Sequence, residues 1–209
     1  LVNSSLLLST RLALVALAAF ASTAVVGVYS VAIAVSELLS MTTIALESSA
    51  FHRIGSGDRL TSVSLTTRSI RHVVVLTCVG AAVTVPLTFL FLPSIVGPGY
   101  EQVPALVLAL VPGVVAFAVW WAMHTFFVVR LDRSQVAARV AGVGIVLTAV
   151  LAFALVPVWG VWGAVVSSVV GNTVAAGLGL MRFRALAGVR VRDLVPGKAE
   201  LDDYRALLA

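Results

Sequence analysis

An all-α integral membrane bundle is the fold class predicted by three observations. The first is composition: of 209 residues, 60% are hydrophobic and 11% charged. A soluble domain averages about 25% charged residues. The second is a series of charge-free runs, at 12–36, 140–159 and 161–181, with another inside 73–104. Residues 104–129 carry only His124 as an ionisable group. These runs reach the ~20 residues that a helix needs to cross the hydrocarbon core. The third is that the basic residues gather in alternate connections. One membrane bundle accounts for all of these features.

The elements follow in order. As one helix, the first 51 residues would extend about 77 Å, far beyond a bilayer. A turn at Ala21-Ser22-Thr23 divides them, giving spans at about 6–20 and 24–46. Four more follow at about 71–92, 103–129, 140–158 and 161–181. The result is a six-helix transmembrane bundle over 1–182 and a polar cytoplasmic tail over 183–209. In that tail Val195-Pro196-Gly197 reads as a turn and 199–208 as a short surface helix. The chain opens on Leu1, with no basic stretch before the first apolar run. That predicts a chain beginning inside a larger protein, with its first helix truncated.

Charge orients the bundle. The formal net charge is +5, and 13 of the 14 basic residues are Arg. Arg53, Arg59, Arg68 and Arg71 fall in a predicted loop over 51–72, and Arg130, Arg133 and Arg139 follow span four. Arg182, Arg184, Arg190, Arg192, Lys198 and Arg205 lie in the tail. The connections at 93–102 and 157–160 carry no Lys or Arg. Positive residues stay cytoplasmic, so both ends are predicted inside, with a plasma-membrane location. Arg11 alone lies within a span. No basic patch is interleaved with stacking aromatics, so no nucleic-acid partner is expected.

Several residues break or pack helices. Pro86 and Pro112-Gly113 each predict a kink, since proline removes a backbone donor. Gly163, Ser167, Gly171, Ala175 and Gly179 recur every four residues on span six. Small residues at that spacing let another backbone approach closely, and Gly144, Thr148 and Ala152 offer the same on span five. The short connection Pro157-Val-Trp-Gly160 predicts an antiparallel hairpin of these two spans. Trp159 and Trp162 fit interfacial anchors. Cys78 lies in an apolar run and reads as a small buried residue.

Polar residues inside spans are the candidates for function. Ser36, Ser40, Thr43 and Glu47 follow one another at four, three and four residues, which places them on one helical face. Tyr29 lies two turns earlier on that face, and Glu37 widens it. Lipid offers no hydrogen bonds, so the face is predicted to look into protein or a water-filled cavity. Ser and Thr also bond helix to helix, and two carboxylates exceed that need. Arg11 supplies a guanidinium that can hold phosphate oxygens in a bidentate fork. His124 stands among Trp120, Trp121 and Phe127, suited either to transport or to interhelical bonding. There is no Gly-rich phosphate loop, no metal-spaced His/Cys cluster and no nucleophile elbow, so neither a cofactor nor a metal is expected.

The run VVGVYSVAIAVSELL, the basic stretch after it and LPSIVGPGYEQVPALVLALVPG resemble the polysaccharide flippases of the multidrug/oligosaccharidyl-lipid/polysaccharide (MATE-like) exporter superfamily. The ending LVPVWGVWGAVVSSVVGNTVAAGL is similar to their last hairpin. The resemblance covers nearly the whole chain and rests on distributed patterns. It implies a two-lobe transporter, of which this chain would be the second lobe, the first lying N-terminal in the same protein. It implies movement of undecaprenyl-pyrophosphate-linked oligosaccharide from the inner to the outer leaflet, in a bacterial inner membrane, for cell-surface polysaccharide or lipopolysaccharide synthesis. Glycan-assembly proteins would be its partners. The family often places Asp two positions after an Arg near a lobe's first helix, whereas Leu12-Ala13 follow Arg11 here.

Two other hypotheses are weighed against this one: an antiporter, and, from another class, a scaffold or a glycan enzyme. A cation-coupled drug antiporter of the same fold would lean on Glu37 or Glu47. A non-transporting scaffold would need neither. A membrane-embedded glycan enzyme would bring a larger outer loop with paired acidic or His residues. The longest outer loop has about ten residues and only Glu101, so no enzyme is expected.

Overall fold

The structure is a computed structural model that describes the backbone of residues 3–56 and 59–194. The side chains at 3–10, 42–43, 45–56, 59, 93, 129–130 and 191 are outside the described set. Six helices follow one another: α1 (Asn3–Phe20), α2 (Thr23–Ser56), α3 (Arg59–Val96), α4 (Val103–Thr125), α5 (Ser134–Trp159) and α6 (Val161–Ala187). A π turn, Phe126–Arg130, extends α4, and a 3-10 turn, Val191–Leu194, follows α6. No strand occurs among the described residues. Helices α2 to α6 each contain a stretch long and apolar enough to cross a membrane, and α1 adds a shorter apolar segment, Arg11–Phe20. The protein is an all-α membrane bundle.

Three boundaries differ from the sequence reading. First, α2 and α3 run through most of the expected loop at 51–72. At 34 and 38 residues they extend about 51 and 57 Å, well beyond the ~30 Å hydrocarbon core. Extending an existing helix adds a hydrogen bond for each residue fixed, so polar composition alone does not end one. Second, α6 continues to Ala187, and Phe183, assigned to the polar tail, is fully buried. The expected turn at 195–197 and helix at 199–208 lie outside the described residues. Third, α5 begins at Ser134, six residues before the expected start of span five, while its end at Trp159, beyond Pro157, agrees with the expected end near 158. Gly160 alone makes the turn, at φ 55° and ψ −129°, a conformation open mainly to glycine. Cys78 is another correction: it is exposed on α3, because that helix turns its other face to α2 and α4.

Helices α4 and α6 form the centre. α4 lies against α2, α3 and α6, while α6 lies against α4, α5 and α1. Two large apolar clusters fill the bundle. One, toward the Gly160 hairpin, joins Ala13, Leu17, Tyr29, Leu106 and Val156. The other, toward the arginine-rich end, joins Trp120, Met123, Phe126, Phe127 and Phe183. Phe126 and Phe183 meet edge to face with centroids 5.1 Å apart, tying the π turn to α6. The connection from α3 to α4 is closed by Gly97 and Gly99, both at positive φ. The Gly99 N–H donates to Glu101 Oε1 at 3.0 Å, which holds that carboxyl below its ordinary pKa.

The small residues of α6 sit at close approaches. A Cβ on Gly163 would lie 2.6 Å from the backbone carbonyl of Leu155. One on Gly171 would coincide with Thr148 Oγ1 and stand 2.9 Å from the Gly144 carbonyl oxygen. Ser167 is buried between these levels and Ala175 one turn beyond Gly171. The stripe then turns away from α5: a Cβ on Gly179 would meet Trp120 of α4 at 2.7 Å. One row of small residues therefore packs two neighbours, because α6 passes between α5 and α4.

Candidate functional site

A groove of mixed polar and apolar lining lies between the two large apolar clusters, beside a smaller one of Leu39, Ala81 and Val114. Its floor is α4, at Leu110, Gly113, Val114 and Phe117. One wall is α2, with Tyr29, Ile33, Ser36, Glu37 and Ser40, and the other is α6, with Ser168, Val169 and Asn172. These residues lie about 9 to 26 Å along their helices from the hairpin end, inside a ~30 Å core, with Glu37 about 21 Å from that end. α2 and α6 make little contact with each other, and both rest on α4. The groove is the gap that this leaves.

Local sequence explains the gap. Pro112 cannot donate to the Leu108 carbonyl, which weakens α4 at this level. Gly113 follows, and a Cβ there would lie 3.1 Å from Val169 Cα, so α4 and α6 touch backbone to backbone on one side of the floor. Tyr29 closes the groove toward the hairpin end. It is fully buried, with its hydroxyl 3.0 Å from Ser168 Oγ and donating to the Ala164 carbonyl at 3.3 Å. Below it, Ser36 donates to the Ala32 carbonyl at 2.9 Å and Ser40 to the Ser36 carbonyl at 3.4 Å. Each serine satisfies its own donor within α2 and leaves oxygen lone pairs free to accept.

Glu37 is different. Its Oε1 is buried and has no hydrogen-bond partner. Asn172 lines the opposite wall and brings two amide donors and one acceptor oxygen. The groove volume is about 40 Å³, room for about three waters. Alone, it can solvate a carboxylate or hold a small ion. A glycan is too large for it and could only pass alongside, using these groups as one wall.

The expected site residues divide. Tyr29, Ser36, Glu37 and Ser40 come together in the groove. Thr43 and Glu47 lie on α2, but their side chains are outside the described residues. Arg11 does not join the groove; it is exposed on α1. That helix buries Ala13, Ala16 and Leu17, and Arg11 stands about 200° round from Ala13. His124 is also elsewhere. It stacks on Trp121 at 5.5 Å and meets Trp120 edge-on at 6.1 Å, with Nε2 buried and unpartnered. It falls three turns below Gly113 on α4, among the aromatic residues of the arginine-end cluster.

Ser168, Asn172 and Gly113 belong to the groove, and the sequence reading did not select them. Asn172 carried a signal: it is the one Asn in the predicted spans, and an amide in hydrocarbon needs a partner. Its position in a row of small residues drew attention to packing instead. No family model, curated protein or solved structure matches this chain.

Proposed function

We propose that this bundle is one lobe of a membrane transporter, and that its polar groove is a wall of the path taken by a lipid-linked oligosaccharide between leaflets. The observation that carries the reading is the half-buried Glu37 carboxylate, whose Oε1 is buried without a hydrogen-bond partner, opposite Asn172 and between Ser36 and Ser40. An ionisable group inside the hydrocarbon core is costly, so its presence there points to a path for polar cargo. Hydroxyl, carboxylate and amide groups are also the set that exchanges hydrogen bonds with sugars. The glycan assignment rests on the sequence resemblance. Arginine asymmetry supports placing the arginine-rich end in the cytoplasm. The pyrophosphate would meet a guanidinium outside the groove, and Arg11, on the exposed face of α1, is the candidate.

A second reading has one specific observation in its favour. The groove holds a carboxylate and no guanidinium, which suits a cation-coupled antiporter. Surface-glycan export by the full-length protein, in cells lacking their own copy, separates the two. Under the first reading Glu37→Gln and Asn172→Leu each cut export at least tenfold at normal protein level, and drug resistance is unchanged. Full export by both variants overturns it. Loss of drug efflux with export intact establishes the second.

A further inference from the structure

A second groove lies on an outer face of the α5–α6 hairpin and shares no residue with the first. Val136, Arg139, Val140 and Val143 of α5 face Leu178 and Arg182 of α6 across a volume of about 290 Å³. Four walls are aliphatic, two residues are guanidinium-bearing, and no carboxylate lines it. Both arginines are exposed, so their charge is available to a ligand.

The depth of the two arginines is fixed by the hairpin. Arg139 precedes Trp159 by 20 residues, and Arg182 follows Trp162 by 20 residues. At 1.5 Å per residue both pairs are separated by about 30 Å, the thickness of the hydrocarbon core. Trp159 and Trp162 are exposed, as interfacial anchors at one membrane boundary would be. Arg139 and Arg182 then stand together at the opposite boundary, where phospholipid phosphates begin. The aliphatic residues extend from them into the hydrocarbon, and Val146 and Val150 continue that exposed apolar face toward the hairpin.

We propose that this groove binds an anionic phospholipid of the leaflet at the arginine-rich end. The two guanidiniums hold the headgroup phosphate, and Val140, Val143 and Leu178 seat an acyl chain. Guanidinium matches phosphate oxygens in a planar, bidentate geometry. A zwitterionic headgroup brings its own cation to a site that already holds two, so the groove selects phosphatidylglycerol over phosphatidylcholine. Basic grooves between transmembrane helices at a membrane boundary are a recurrent form of lipid recognition. The proposal does not depend on what the protein transports.

The test uses the purified full chain in detergent, with phosphatidylglycerol or phosphatidylcholine titrated in and retained lipid counted by native mass spectrometry. Phosphatidylglycerol should bind in preference. Arg139→Gln and Arg182→Gln should each weaken it about five-fold, and the pair about twenty-five-fold. Arg184→Gln, also exposed at this end but outside the groove, should change little. Leu178→Trp keeps every charge and fills the groove, so it should also lower retention. Equal binding of the two lipids overturns the proposal. So does a Leu178→Trp variant with unchanged affinity, which would leave only diffuse surface charge. Displacement of the lipid by glycerol 3-phosphate at equal concentration would assign the arginines to a soluble phosphate and overturn the lipid assignment.

Discussion

At the scale of single residues, space decides more than hydrophobicity. Gly171 and Gly177 share α6 and differ in what surrounds them. A Cβ on Gly171 would coincide with Thr148 Oγ1, whereas one on Gly177 meets nothing within 4 Å. Gly171→Ala should therefore destabilise the protein in detergent by about 1–3 kcal/mol, the usual cost of overpacking. Gly177→Ala should be neutral or stabilise by up to about 1 kcal/mol, since alanine favours helix. Thermal melting of both variants checks this, and equal shifts would remove the packing role given to Gly171. The four-residue spacing separated these two glycines in the sequence. It could not show that Thr148 Oγ1 sits buried, without a hydrogen-bond partner, where the glycine Cα–H points at it. Nor could it place Arg11. A charge within an apolar run shows only that something must accommodate it, and here the exposed face of α1 does.

At the scale of elements, hydropathy located every crossing segment and misjudged where the helices end. The break at Ala21-Ser22, the start of α4 at Val103 and the start of α6 at Val161 agree with the sequence reading. The stretch at 51–72 does not, because its Arg, Ser, Gly and His residues suggest a loop while its described backbone, 51–56 and 59–72, is helical. Ser62, Thr66 and Ile70 of α3 are buried there, so the extension is packed and not frayed. Thr66 also donates to the Ser62 carbonyl at 2.9 Å, satisfying its hydroxyl inside the helix. Hydrogen exchange distinguishes the two pictures. Amides of residues 62–70 should exchange at least a hundredfold more slowly than those of an unstructured peptide. Exchange at peptide rates would restore the loop. The end of span five near 158 also agrees with the sequence reading. There α5 continues through Pro157, and the positive φ of Gly160 makes the turn.

At the scale of the whole molecule, two large apolar clusters are separated by a layer in which Tyr29, Ser36, Glu37, Ser40, Ser168 and Asn172 share a groove with apolar residues, Val114 of a third, small cluster among them. Tyr29, Ser36, Glu37 and Ser40 were legible as one face of one helix. Their partners on α6 and the floor on α4 were not, because periodicity orders residues within a helix and says nothing about which helix stands opposite. The central claim is that this layer is a water-accessible path. It is tested most directly by thiol accessibility in the full-length protein, with Cys78, itself exposed, first changed to Ala. Ser36→Cys and Asn172→Cys place a thiol in the groove, and Val146→Cys places one on an exposed apolar face of α5. A thiol reacts as thiolate, which forms in water and not in hydrocarbon. A small charged methanethiosulfonate should modify Ser36→Cys and Asn172→Cys at least tenfold faster than Val146→Cys. Groove cysteines as unreactive as Val146→Cys would contradict the account, leaving Glu37 and its neighbours as interhelical bonding in a closed bundle.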